Sequence, residues 1–213
     1  MNGNSHQSDK SSVTGPSLVI FDMIAIVLMH RLGLESYLHL LKHSGKSLIA
    51  VSQSECTRNV LQQLGLSAFF DFVVYESTED IVDTEERIFE HLLRCKYECK
   101  GQQCLCYSSF SNTGRKLALR KLRSIDRMLF DMPVTLDGQR RNWTEVALVD
   151  SDMGTCLYAT AVKGAHTYHV VRDESPESLY NWATSLHDGE PVCYMLGMDG
   201  VSKQSMYRMT LLY

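Results

Sequence analysis

Glu145-Val-Ala-Leu-Val-Asp150-Ser-Asp152-Met-Gly154 is the stretch whose reading decides the fold. Residues 146–149 are uninterruptedly apolar, and acids and small turn residues follow at once. Behind them come Leu157 to Gly164 and then a second extended run, Thr167-Tyr-His-Val-Val171. The order is strand, acidic tip, helix, glycine turn, strand. A short continuous apolar run is what a parallel strand covered on both faces requires. In open parallel sheets ligands gather beyond the carboxyl ends of the strands, which is where Asp150 and Asp152 would stand. A solvated turn with no chemistry is the other reading of the same residues.

The alternation extends toward the N-terminus. Ser17-Leu-Val-Ile-Phe21 reads as a first strand with Asp22 at its end, and the apolar character of this buried run continues to Met29. Leu34, Leu38 and Leu41 are spaced for one face of a helix over 34–43, which Gly45 closes. Ser47-Leu-Ile-Ala-Val51 is the second strand, tipped by Ser52. A helix over 55–64 ends at Gly65, and the run 69–75 holds a third strand. Further on, the pattern predicts a helix over 83–94, a strand over 104–107, a basic helix over 114–122, a short strand at 128–130 and a loop or hairpin over 131–142. After the central unit come a helix over 176–186, a late strand at 192–195 and an apolar C-terminal segment packed on the body. Repeated strand–helix units imply an α/β fold, an open three-layer sandwich with a mainly parallel sheet. Right-handed crossovers then bring Asp22, Ser52 and Asp150 to one rim. The expected organisation is a polar, disordered tail over 1–17 and one domain over 18–213, with a small insertion at about 95–144.

With 213 residues, 44% of them hydrophobic, the chain can bury a sizeable core, and its formal charge of −4 gives no nucleic-acid-binding signature. Arg115, Lys116, Arg120, Lys121 and Arg123 form the dense basic cluster, read as a solvated helix face. No secretory signal is visible, and the apolar run at 18–29 is too short to span a bilayer. The expectation is an intracellular, cytoplasmic protein with no membrane partner, whose seven cysteines are reduced thiols.

An Asp, a Ser and an Asp pair at successive strand ends suit phosphoryl transfer: a carboxylate can attack, a hydroxyl can hold a transferred oxygen, and cations can neutralise developing charge. In this order they resemble the haloacid dehalogenase-like hydrolase superfamily, over roughly residues 18–172. In Val19-Ile-Phe-Asp22-Met-Ile24-Ala25-Ile26, Asp22 matches the family nucleophile. Ile24 stands where the phosphatases carry a second Asp as general acid and base, and Ile26 where Thr is usual. Ser47-Leu-Ile-Ala-Val-Ser52 is similar to the second motif, with Ser52 in the hydroxyl role. The stretch from Val60 through Gly65 to Val74 is similar to the helix and strand that follow. For the phosphate-neutralising Lys or Arg, the resemblance offers Lys116 or Arg115; Glu76, Glu79 and Asp80 occupy the commoner place. Val149-Asp150-Ser-Asp152-Met-Gly154 is similar to the acidic fourth motif. The resemblance thus implies a Rossmannoid scaffold, Asp22, Ser52 and Lys116 as catalytic residues, and Asp22, Asp150 and Asp152 as ligands of Mg²⁺ if the site is active.

Isoleucine cannot ionise, and losing a general acid–base costs typically about 10²–10⁴-fold in rate. Two readings follow. One is a non-catalytic protein of this fold, a binding or assembly component that meets a protein partner through the 95–144 insertion or the C-terminal tail. The other is a Mg²⁺-dependent hydrolase of a small phosphorylated substrate. A nucleotide binder is a third, against which the missing Gly-x-Gly-x-x-Gly counts. Cys95, Cys99, Cys104 and Cys106 lie within twelve residues and could in principle build a zinc site, with ordinary thiols as the alternative. His166 and His169 flank a strand, and His166 reads as structural.

Overall fold

The computed structural model describes residues 15–78, 80, 83–92, 96–99, 102–105, 112–132, 141–172, 175–186, 191–195 and 205–210. Residues 1–14 of the expected tail over 1–17, and part of the 95–144 segment, lie outside these. The elements run β1 (Leu18–Asp22), α1 (Met23–His30), α2 (Leu34–His43), β2 (Ser47–Ser52), α3 (Thr57–Gln63), β3 (Phe72–Tyr75), α4 (Asp83–Leu92), β4 (Lys96–Cys99), β5 (Gln102–Leu105) and α5 (Asn112–Asp131). They continue with β6 (Val146–Asp150), α6 (Met153–Tyr158), β7 (His166–His169), α7 (Pro176–Ser185), β8 (Cys193–Met195) and β9 (Ser205–Thr210).

The nine strands among the described residues belong to one sheet, in the order β3-β2-β1-β6-β7-β8-β9-β4-β5. From β3 to β8 every pairing is parallel, and β9, β4 and β5 extend the sheet with antiparallel pairings. The fold is therefore α/β with a mainly parallel sheet. Helices cover both faces. Leu18, Ile20, Val146 and Leu148 pack against α4, α5 and α6. Val19, Phe21, Ala147 and Val149 pack against α1, α2, α3 and α7. Burial on both sides explains why β1 and β6 read as unbroken apolar runs.

Three elements differ from the sequence expectation. The buried run at 18–29 is strand only as far as Asp22; there the chain turns directly into α1. The Asp22 side chain accepts from the amides of Ile24 and Ala25, two of the otherwise orphaned donors of a helix start. The expected helix at 114–122 and strand at 128–130 are one helix, α5. Ala118, Leu122, Ile125 and Leu129 keep helical spacing throughout and are buried, so the apolar period outlasts the weak strand signal at 128–130. Of the expected strand at 104–107, Cys104 and Leu105 belong to β5, which starts two residues earlier and pairs with β4, and 106–107 lie outside the described residues. Past α6 the backbone continues as one π turn over Ala159–Lys163, ending at Gly164 with φ 77°, the left-handed region that favours glycine. No single described helix is long and apolar enough to cross a membrane.

Candidate functional site

Side chains alternate across a strand, so the parity of the core residues fixes where each strand-end group points. Asp22 continues the face of Leu18 and Ile20, and Asp150 that of Val146 and Leu148. Phe21 pairs with Val149 in register, so these two carboxylates are neighbours on the side covered by α5. Ser52 continues the face of Leu48 and Ala50, which look the other way.

A lysine closes the pair. Lys121 Nζ lies 2.9 Å from Asp22 Oδ1 and 2.9 Å from Asp150 Oδ2. The three side chains are at most 5% exposed. Asp22 Oδ2 accepts from the Ile24 amide at 3.0 Å, the Ala25 amide at 3.3 Å and Ser151 Oγ at 3.2 Å. Asp150 Oδ1 accepts from the Asp152 amide at 2.8 Å. Asp152 turns away to cap α6, its Oδ2 accepting from the amide and hydroxyl of Thr155. Every oxygen of Asp22 and Asp150 is thus engaged, and one ammonium sits between two carboxylates.

The electrostatics follow from that count. Burial pulls the Lys121 ammonium downward, but Asp150, Asp22 and the hydrogen bonds to both outweigh it and hold it above the usual lysine range. Asp150 is pushed up to about 7: complete burial raises it, Lys121 opposes this, and the neighbouring Asp22 charge raises it further. The cluster with all three groups ionised carries one net negative charge, so it has a tendency to take up a proton at Asp150 near neutrality. Glu76, just beyond β3, is also raised by burial despite Lys121 nearby, and Gln53 hydrogen-bonds it. His169 pairs in register with Asp150, and its Nε2 lies 3.3 Å from the Ser151 carbonyl. Burial lowers its protonation range.

The expected site residues separate accordingly. Asp22 and Asp150 come together. Ser52 reaches the same rim, but its hydroxyl is held by Thr57 Oγ1 and accepts from the Ser54 amide. It lines a cavity of about 210 Å³ with Asp22, Ile24, Gln53, Thr57 and Val60. That is below the roughly 300–1,000 Å³ of ordinary small-molecule sites. Lys116 is exposed on α5 and is not the lysine at the carboxylates. At 3.6 residues per turn it lies roughly 140° around the helix from Lys121. A sequence signal for Lys121 did exist: it is in phase with the apolar stripe of Ala118, Leu122 and Ile125, so it could not belong to a wholly solvated face. His166 is structural in the plain sense that its Nδ1 accepts from the Val192 amide.

The cofactor expectations are corrected. Among the described residues no group of three or more His, Cys, Asp or Glu side chains could hold a metal ion. For magnesium, the donor set of Asp22, Asp150 and Asp152 does not fit: the first two converge on an ammonium and the third on a helix N-terminus. For zinc, Cys95 and Cys106 lie outside the described residues, and Cys99 and Cys104 are not cross-strand partners, since they pair with Gln102 and Tyr97.

No protein-family model matches the chain, and no curated protein matches it. Among solved structures it is similar to the NMR structure of the core domain of “a putative phosphoglycolate phosphatase” from Streptococcus pneumoniae TIGR4. The identity is 9% and the TM-score 0.44, over 81% of this chain and 98% of that one.

Proposed function

We propose that this chain is a non-catalytic protein of the α/β class described above, in which Asp22, Lys121 and Asp150 form a structural ion cluster and the molecule serves as a binding or assembly component. The observation that carries the reading is the state of Asp22. One oxygen is bound to Lys121, and the other caps α1 and accepts from Ser151. A nucleophile needs a lone pair directed at its electrophile. Here the carboxylate is 3% exposed and both of its oxygens are already hydrogen-bonded. The residue two positions on is Ile24, 55% exposed, which can neither give nor take a proton. Ser52 belongs to the start of α3 rather than to the Asp22–Asp150 face.

The partner-facing segments of this reading, the 95–144 insertion and the C-terminal tail, are adjacent: β4 from the first pairs with β9 from the second. We assign the protein contact to that antiparallel extension. The domain organisation proposed with it is one unit over 18–213.

The test is turnover of a panel of small phosphomonoesters by the full chain and by Asp22→Asn. The expected result is no difference between them. Turnover by the natural chain that Asp22→Asn abolishes would overturn the reading in favour of an aspartyl-nucleophile hydrolase. For the assembly role, deleting 205–213 should abolish capture of a partner that the intact chain retains from its native source; unchanged capture would move the contact elsewhere.

A further inference from the structure

We draw no further inference here: the strongest candidate, the recess of about 420 Å³ between α3 and β3 lined by Arg58, Leu61, Gln62, Phe70 and Val73, carries nothing because no feature of the structure shows what occupies it.

Discussion

Replacing Lys121 by Met is the sharpest probe of the ion cluster. Methionine keeps a long unbranched side chain and the packing of the stem, and removes only the charge. What remains is two carboxylates, both within 2.9 Å of the vacated ammonium position and at most 4% exposed, with no cation between them. Breaking a buried ion pair by removing one partner costs about 3–5 kcal/mol, whereas a surface pair contributes only about 0–1 kcal/mol. At about 2–4 °C per kcal/mol for a chain of this size, the thermal midpoint should fall by about 10 °C. The sign with pH is also set. Lys121 itself, held above the usual lysine value, contributes stability that is fully present below its unfolded pKa of about 10.4 and lost only as pH rises beyond it. The variant's exposed penalty is different: Asp150, already raised by burial and by its Asp22 neighbour, loses the cation that opposed them, so the loss is small in acid and grows as pH climbs. Urea unfolding at a series of pH values measures it, with Lys121→Met/Asp150→Asn expected to recover part of the loss. A destabilisation under about 1 kcal/mol at pH 8, or one indifferent to pH, would refute the reasoning, because it would mean that the three groups are solvated rather than buried together.

Three further outcomes are expected. Asp150 has a folded value of about 7, above an ordinary carboxylate's, so its stabilising contribution is full below about pH 4 and is lost as pH rises through 7; Asp150→Asn should flatten the natural chain's stability–pH curve in that window, as read by urea midpoints. Lys116→Ala, at an exposed position on α5, should leave the thermal midpoint within error, in contrast to any change at Lys121. Ile24→Asp puts an acid in the first turn of α1, where a negative charge suits the helix N-terminus, so stability should hold; phosphomonoesterase assays should show no turnover, because Lys121 and the α1 amides keep Asp22 engaged.

Unbroken apolar runs at 18–21 and 146–149, each tipped by an acid, were enough to name two parallel strands and the rim where they end, because burial on both faces leaves a continuous hydrophobic signature. The acid ending the first of them also marked a helix start, but Met23 to Met29 has no polar face, so no period distinguishes α1 from more strand. The basic cluster was visible and its division was not. The phase of Lys121 with Ala118, Leu122 and Ile125 separates it from Lys116, Arg120 and Arg123; Arg115 shares the phase of Leu122, and only packing tells it from the buried lysine.

What the linear chain determined by itself is the α/β class, the strand ends carrying Asp22, Ser52 and Asp150, and the presence of a residue at Ile24 that cannot ionise: each is written in residue type and local period. What only the tertiary structure decided is which of those groups meet. Strand parity sends Asp22 and Asp150 to the α5 side and Ser52 to the other, and a helix roughly a hundred residues away in sequence from Asp22 supplies the cation between them. Whether a carboxylate is a nucleophile or a buried anchor depends on what fills its lone pairs, and that is a property of packing, not of sequence order.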